Sequence, residues 1–229
     1  MDQTEIAKAY DNNYRAFKKG ISSSESIDYY TSWGQTGGYE KDLSKGGTYN
    51  GPIEAAKAVG KLFPADRENV KILDIAAGTG YVGEELHHMG FLHVDALEPS
   101  EGMLAIAKEK GVYKNYILDI LGGTKYSLGT DYYDCTVVSG GMGEGHIPCT
   151  GILEMIRIVK PGGIVVIAMR EEYLNYVEEY KDKLEPMMEE LEKEGAWEKI
   201  DRSIYDNHFV GKTGVLFLYR VKDKGESGR

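Results

Sequence analysis

Two acidic residues and two glycines stand where they could bind one small ligand together. The apolar segment 70–75 contains Asp74 and leads into Gly78 and Gly80, and Glu98 follows Gly78 by twenty residues. A glycine has no Cβ, so the backbone at these positions leaves room for a body the size of adenosine. A carboxylate at Asp74 suits a cationic amino group, and an acid at the position of Glu98 suits the two hydroxyls of a ribose. The spacing therefore predicts a site for an adenosine that carries an amino group.

Residues 78–83 also match the Gly-x-Gly-x-x-Gly pattern of dinucleotide-binding proteins, which is a weak signal by itself. Two features argue against NAD as the ligand. A dinucleotide turn offers backbone amides to a pyrophosphate anion, and the carboxylate of Asp74 would repel that anion. Ala76 and Ala77 also separate the predicted strand from Gly78, although the first glycine of the pattern normally follows its strand directly. An NAD-dependent oxidoreductase is the weaker alternative.

The elements that must position these residues alternate along the chain. Five short apolar runs predict strands with helices between them, and a turn at 211–214 between two further segments predicts a final hairpin. We therefore expect an α/β fold with a Rossmann-like, seven-stranded, mostly parallel sheet and a C-terminal antiparallel hairpin. The predicted strands are residues 70–75, 91–97, 113–118, 131–139, 164–169, 197–209 and 215–221.

The first fifty residues predict a helical unit beside the sheet. Residues 4–19 repeat apolar side chains at helical spacing, and a second helix is expected from Ser23 to Trp33, capped by Ser23 or Ser24. Aromatic residues are dense here, so the unit either packs onto the sheet edge or covers the bound ligand as a lid. We expect residues 1–50 to form this N-terminal cap, residues 51–221 the main domain and residues 222–229 a disordered tail.

Prolines mark the boundaries of three later helices. Pro52 suits the first turn of a helix that runs through Phe63, and Pro148 is expected to start another. The acidic segment 171–194 reads as one helix that Pro186 kinks or splits in two.

Composition restricts the class of protein. The chain has 229 residues, 41% hydrophobic and 28% charged, which is ordinary for a globular domain. It has two cysteines, no apolar run near the ~20 residues of a membrane span and no signal-peptide core, so we expect a cytoplasmic protein that contacts no membrane.

The net charge is −10, and residues 171–194 contain ten acids but only three lysines. DNA and bulk RNA are thereby excluded as substrates, because they require clustered Lys and Arg. We also expect a monomer without a metal site.

The glycine-rich segment supports a resemblance to a known class of enzymes. The sequence Leu-Asp-Ile-Ala-Ala-Gly-Thr-Gly at residues 73–80 resembles the first motif of class I S-adenosylmethionine (SAM) methyltransferases, and the final hairpin is typical of their sheet. The resemblance covers about residues 49–221. Residues 141–149, 160–163 and 194–197 and the Tyr-x-x-Trp element at 30–33 narrow it to the Williams–Beuren syndrome chromosome region methyltransferase-like proteins.

The resemblance implies SAM as the cofactor, S-adenosylhomocysteine (SAH) as the product, and a small molecule or an exposed protein side chain as the methyl acceptor. The Asn-Pro-Pro-Tyr motif of exocyclic-amine methyltransferases is absent, which leaves open a SAM-binding regulatory or interaction module without turnover. The candidate cofactor-binding residues are Tyr14, Trp33, Asp74, Ala76, Gly78, Gly80, Glu98, Pro99, Met103, Asp119, Ile120 and Ser139.

Several of these residues have two interpretations. Met103 follows Glu98 in the first turn of a helix and either lies against the adenine face or packs in the core. Asp119 ends the third predicted strand and either accepts from the adenine amino group or is an ordinary loop acid. His146, in the segment after Ser139, is the candidate general base, with a loop histidine of no chemical role as the alternative. The family usually has a glutamine-like polar residue at His146 and varies at Asp119.

Cys149 invites comparison with cytosine-C5 methyltransferases, in which a Pro-Cys pair supplies a nucleophilic thiolate. Here Pro148 has a sufficient role as the start of a helix. A base-flipping enzyme must also hold a polyanion, and this chain lacks a basic groove. We therefore predict that Cys149 is not a nucleophile.

Overall fold

Strands and helices alternate through most of the computed structural model, which describes residues 2–43, 47–125 and 127–223. The predicted tail thus lies outside the described residues except for its first two positions. The helices are α1 (Gln3–Ala16), α2 (Ser23–Gln35), α3 (Gly38–Asp42), α4 (Gly51–Leu62), α5 (Tyr81–His88), α6 (Glu101–Lys110), α7 (Gly151–Ile158), α8 (Tyr173–Tyr176) and α9 (Leu184–Lys193). The strands are β1 (Lys71–Ile75), β2 (His93–Leu97), β3 (Asn115–Ile117), β4 (Tyr133–Ser139), β5 (Val159–Arg170), β6 (Trp197–Phe209) and β7 (Lys212–Val221).

The strands form one seven-stranded sheet in the order β3-β2-β1-β4-β5-β7-β6. Strands β1 to β5 pair in parallel, whereas β7 runs antiparallel to both β5 and β6. The predicted Rossmann-like sheet with its C-terminal hairpin is therefore confirmed. The order reverses between β1 and β4, and in open α/β sheets the ligand crevice lies outside the carboxyl ends of the strands at this point.

The core lies on both faces of the sheet. Ile72 packs into the cluster beneath α4, α5 and α6, and its neighbour Leu73 packs into the cluster beneath α7, α8 and α9. Successive strand residues point to opposite faces, so a central strand with helices on both sides must be apolar throughout. Trp197 joins the hairpin to α9, because its ring stacks on Tyr219 at 3.9 Å and its indole N–H donates to the carbonyl of Met188 at 3.0 Å.

Side-chain hydrogen bonds hold α1, α2 and α3 together as one unit. The carboxylate of Asp42 accepts from the indole of Trp33 at 3.0 Å and from the amide of Asn12 at 2.7 Å. The start of α2 differs from the prediction, because Ser22 is its N-cap. The Ser22 hydroxyl accepts the Glu25 N–H, and the Glu25 carboxylate accepts the Ser22 N–H.

The unit packs on the main domain through a close helix contact. A Cβ added at Gly102 in α6 would lie 2.4 Å from the carbonyl oxygen of Thr31 in α2. Beside this contact the hydroxyls of Thr31 and Ser100 are 2.9 Å apart and hydrogen-bonded. The absence of a side chain at Gly102 therefore lets α2 approach the first turn of α6.

The acidic segment forms two helices, but the break does not lie at Pro186 as predicted. Helix α8 ends at Tyr176 and α9 begins at Leu184, so the break lies well before Pro186. Pro186 lies in the first turn of α9, where its missing N–H would have no helical partner. Between the helices, the buried hydroxyl of Tyr180 accepts the Gly143 N–H at 2.8 Å and donates to the carbonyl of Ile147 at 2.6 Å. The chain turns inward here to make these bonds.

Several other boundaries also differ from the predictions; β5, for example, begins at Val159 and not at residue 164. Strand β3 has three residues, α4 ends one residue before Phe63, and the helix expected at Pro148 begins at Gly151 after a turn. None of the helices in the described part of the chain combines the length and the apolar composition needed to cross a bilayer.

Candidate active site

A cavity of about 1190 Å³, counting the space at its mouth, lies between the carboxyl ends of the parallel strands and helices α1 and α2. Its sheet side comes from the segments after β1, β2, β3, β4 and β5. Its opposite side comes from the N-terminal cap. The two walls are lined by, among others, Ala76, Gly78, Glu98, Asp119, Ser139 and Arg170 on the sheet side and Asn13, Phe17, Ile27, Tyr30, Tyr39 and Tyr49 on the cap side.

The turn after β1 has an unusual backbone. Ala76, Gly78 and Gly80 have φ angles of 55°, 58° and 93°, a left-handed region that glycine adopts without strain. Gly78 lines the cavity, whereas a Cβ at Gly80 would lie 3.1 Å from the ring of Tyr113 behind the turn. Gly80 therefore shapes the turn without facing the cavity.

Glu98 connects this turn to the next helix. Its carboxylate accepts the Gly78 N–H and the Ser100 N–H, each at 2.8 Å, and it lines the cavity although the residue is buried. Burial raises the pKa of Glu98 to about 7, against the lowering effect of the two N–H donors. Each carboxylate oxygen has two lone pairs, so a ligand hydroxyl can be bound in addition to the backbone.

Asp74 lies behind the same turn and does not line the cavity. One carboxyl oxygen accepts the hydroxyl of Tyr113 at 2.6 Å, and the other, Oδ1, is buried without a hydrogen-bond partner among the described residues. Burial raises the pKa of Asp74 to about 7; the Tyr113 bond lowers it and the nearby Glu98 raises it further. No local pattern in the sequence predicts a role for Tyr113, whose ring also packs beneath Gly80 and Gly83.

The described structure brings most of the predicted site residues together and leaves four outside. Tyr14 is 47% exposed, so it points away from the cavity. Trp33 is held by Asp42 inside the cap, while Asp74 and Gly80 lie behind the first turn. Met103 both packs against Trp33 and lines the cavity, so its two interpretations are compatible. The predicted residues that line it are Ala76, Gly78, Glu98, Pro99, Met103, Asp119, Ile120, Ser139 and His146.

His146 is partly buried in the cavity wall and is a neutral imidazole. Its Nδ1 lies 2.7 Å from the carbonyl oxygen of Glu144, and since a carbonyl only accepts, Nδ1 carries the proton. Nε2 lies 3.2 Å from the hydroxyl of Tyr30, and the ring stacks on Phe17 at 4.1 Å. Burial lowers the pKa of His146 to about 4, so the ring stays neutral at pH 7. It can accept a proton at Nε2 only as a weak base.

Arg170, at the end of β5, was not predicted from the sequence as a site residue. It is 5% exposed and lines the cavity. Its guanidinium donates to the side-chain oxygen of Asn13 in α1 and lies 4.9 Å from the ring centre of Phe209 and 5.4 Å from that of Tyr173. A lone arginine after a buried strand carries no sequence signal, because surface arginines occur at such positions equally well.

Cys149 does not line the cavity. Its thiol donates to the carbonyl of Glu179 at 3.0 Å, and burial raises its pKa to about 11. A helix N-terminus can lower the pKa of a thiol, but α7 begins only at Gly151, two residues after Cys149. Cys149 is therefore held as a thiol, in agreement with the prediction that it is not a nucleophile.

Comparison with known proteins identifies related enzymes. The family described as "Methyltransferase domain" matches residues 72–163. Human methyltransferase-like protein 27 is 31% identical over 174 residues, which cover 76% of this chain and 69% of the human protein. A demethylmenaquinone methyltransferase of Renibacterium salmoninarum is 34% identical over 100 residues, which cover 43% of this chain but only 40% of that relative.

A solved structure adds support for the fold. The Burkholderia thailandensis 1,6-didemethyltoxoflavin-N1-methyltransferase, solved with 1,6-didemethyltoxoflavin and SAH, aligns with a TM-score of 0.61 over 86% of each chain. At 16% identity this likeness concerns the fold alone.

The human relative matches over more than two thirds of its length, and the sheet has the hairpin expected of the same class. The cofactor is SAM, and the NAD alternative is set aside. The chain belongs to the class I S-adenosylmethionine-dependent methyltransferases.

Proposed function

We propose that this enzyme transfers the methyl group of SAM to a small molecule held in the cavity between the sheet and the N-terminal cap. The observation that carries this proposal is the enclosure of the site: α1 and α2 form one wall and contribute Phe17 and Tyr30 to it. A side chain on a folded protein would need an open approach to the methyl group. A small molecule can enter and be surrounded.

The names of related proteins support a small-molecule acceptor. The bacterial relatives are demethylmenaquinone methyltransferases, and the Burkholderia enzyme was solved with 1,6-didemethyltoxoflavin. Both names refer to small molecules.

The residues at the ends of β1, β2 and β3 fit the cofactor. We assign Glu98 to the ribose hydroxyls, the segment at Asp119 and Ile120 to the adenine, and Ala76 and Gly78 to close backbone contact. The buried Oδ1 of Asp74 has no donor among the described residues, so the cofactor's amino group would satisfy it, directly or through a water. When bound, SAM supplies an electrophilic methyl group.

The protein's part in the reaction is to align the acceptor and exclude water. In-line displacement gains most from orientation, and the cap wall shields the site from solvent. Nε2 of His146, which is unprotonated at pH 7, can take a proton from an acidic acceptor group. A base this weak suits an acceptor whose reacting group is itself acidic, with a low pKa. We propose that the N-terminal cap acts as the lid.

Labelled SAM tests the acceptor class. The purified enzyme is incubated with methyl-labelled SAM and a cell extract, which is then divided into low-mass and macromolecular fractions. We expect label in the low-mass fraction, and less of it with Glu98→Gln. Label confined to protein would contradict the small-molecule acceptor, and SAH binding without any labelling would favour the module without turnover.

A further inference from the structure

Arg170 is a buried cation whose hydrogen-bonding capacity is mostly unused. A guanidinium has five N–H donors, and Arg170 makes one side-chain hydrogen bond among the described residues, to Asn13. The nearest carboxylate oxygen, Oε1 of Glu172, lies 3.7 Å from Nη1, which is an ion pair too long for a hydrogen bond. The other oxygen of Glu172 accepts from Lys212 at 2.8 Å.

The charges around Arg170 do not cancel. Arg170 and Lys212 share the single carboxylate of Glu172, which leaves one positive charge at the cavity wall. His208, which also lines the cavity, adds no charge, because burial lowers its pKa to about 3. Aromatic rings stabilise a guanidinium through their faces, but they do not satisfy its in-plane N–H groups. A buried charge that is not hydrogen-bonded to a counter-ion is costly, so this arrangement favours an anionic ligand.

A second polar group in the same wall lacks a partner. The hydroxyl of Tyr173 is buried and makes no hydrogen bond within the described part of the chain. Tyr173 lines the cavity, its ring stacks against Phe17 at 5.4 Å, and Arg170 lies over its face. Apolar rings and unsatisfied donors therefore occur side by side in this wall.

The position of Arg170 in the sheet separates it from the proposed cofactor residues. Neighbouring strands lie about 4.8 Å apart, so the end of β5 is roughly 10 Å from the end of β1 and roughly 14 Å from that of β2. Asp74 is on β1 and Glu98 is at the end of β2, and both carboxylates favour the amino group and hydroxyls of the cofactor. Arg170 therefore belongs to the part of the cavity beyond them.

We propose that Arg170 binds an anionic oxygen of the methyl acceptor, which is an organic acid whose apolar part lies beside Phe17 and Tyr173. The guanidinium fork can hold a carboxylate through two parallel hydrogen bonds, or a phenolate through one. This inference rests on the proposed transfer to a small molecule and names the chemical class of that molecule.

Matched small probes test the inference on the SAH-saturated enzyme. Benzoate and benzamide have nearly the same shape and differ in charge. At pH 8, 4-nitrophenolate represents an acceptor whose anionic group is a phenolate. By calorimetric titration we expect benzoate or 4-nitrophenolate to bind about tenfold or more tightly than benzamide. Whichever anion binds more tightly shows whether the anionic group of the acceptor is a carboxylate or a phenolate. Equal binding, or no binding of either anion, overturns the proposal.

Two variants assign the preference to Arg170. Arg170→Met should abolish the preference for the anion and leave SAH affinity unchanged. Lys212→Met is the matched control, because it removes a cation that shares Glu172 but does not line the cavity, and it should keep the preference. Loss of SAH affinity in Arg170→Met would mean that Arg170 holds the carboxylate of the cofactor, and an unchanged preference would mean that another group binds the anion. Either result overturns the proposal.

Fractionated extract provides a test that needs no variant. When a cell extract is passed over an anion-exchange resin at pH 8, the acceptor for labelled SAM should be in the retained fraction. Acceptor activity in the flow-through would overturn the anionic class, while low-mass labelling would still support the proposed function. The two proposals can therefore fail separately.

Discussion

Glu98 and Asp74 are both buried carboxyls, but they are held differently. Glu98 is bonded by two backbone N–H groups and reaches the cavity, whereas Asp74 is bonded by Tyr113 on one oxygen and leaves the other unsatisfied among the described residues. Glu98 can therefore bind a ligand directly while it also fixes the turn at Gly78. Asp74 acts from behind that turn.

Glu98→Gln should weaken SAH binding by about 1–3 kcal/mol, because an amide accepts fewer hydrogen bonds than a carboxylate and carries no charge. Calorimetric titration measures the change. Glu101→Gln is the control, since Glu101 is exposed in the first turn of α6 and should leave the affinity unchanged. An unaltered affinity in Glu98→Gln would mean that the cofactor does not contact the end of β2.

SAH should bind more tightly at pH 8 than at pH 6. The pKa values of Glu98 and Asp74 are both raised to about 7 in the free protein, and hydrogen-bond donors from the ligand favour their ionised forms. At pH 6 such a group is about nine-tenths protonated, so the affinity falls about tenfold for each carboxyl that must ionise. Titration in buffers of different ionisation enthalpy should also detect proton release. A pH-independent affinity would contradict the raised pKa values.

The same shifts predict how the stability of the free protein depends on pH. The folded pKa of each acid lies above its unfolded value, so the native state binds more protons between about pH 4 and pH 7. The contribution of these two groups to the free energy of unfolding therefore decreases as the pH rises through that window and is level above it. Bound SAH should reduce this decrease.

Cys149 should behave as an inert thiol. With its pKa raised to about 11, it should react with iodoacetamide at pH 7.5 about a hundredfold or more slowly than a free cysteine, because the thiolate is the reactive form. Mass spectrometry of the alkylated peptide measures the rate. Cys149→Ser should retain SAH affinity and methyl transfer within severalfold. Rapid alkylation, or loss of transfer in the variant, would restore the nucleophile hypothesis.

At the scale of elements, the sequence predicted what depends on local pattern. The strand after Val70, the turn at Gly78 and the acid at the end of β2 follow from short apolar runs and glycine spacing. These features form the part of the site to which we assign the cofactor. Tyr113 and Arg170 act through contacts with residues distant in sequence, Asp74 and Asn13. No pattern in the neighbouring sequence predicts either contact. The predicted position of the break in the acidic segment is wrong for the same reason. The hydrogen bond between Tyr180 and the loop at Gly143 joins distant segments and overrides the local helical pattern.

The contact between α2 and α6 can be tested by a single methyl group. Gly102→Ala would place a Cβ 2.4 Å from the carbonyl of Thr31, so α2 must move away from the first turn of α6. We expect faster hydrogen exchange in α1 and α2, weaker SAH binding and little change in the exchange of β4 and β5. Ala105→Ser, on the exposed face of α6, is the control. Unchanged exchange in α2 would mean that the cap does not depend on this contact.

At the scale of the whole molecule, one cavity contains two electrostatic environments. The carboxyl of Glu98, whose pKa is raised, lines the cavity at the end of β2, with Asp74 behind the turn after β1. A buried guanidinium, that of Arg170, lies at the end of β5. Between them are the turn after β4 and the neutral ring of His146. Cofactor and acceptor can therefore occupy one enclosed space side by side, which an in-line transfer requires.

Hydrogen exchange with and without SAH tests most directly that the sheet and the N-terminal cap form one binding site. We expect SAH to slow exchange on both walls, in the turns at 76–80 and 97–103 and in helices α1 and α2, whereas NAD at the same concentration should change neither. Protection confined to the turns of the sheet, with the exchange of α1 and α2 unaffected by SAH, would contradict a cavity closed by the cap.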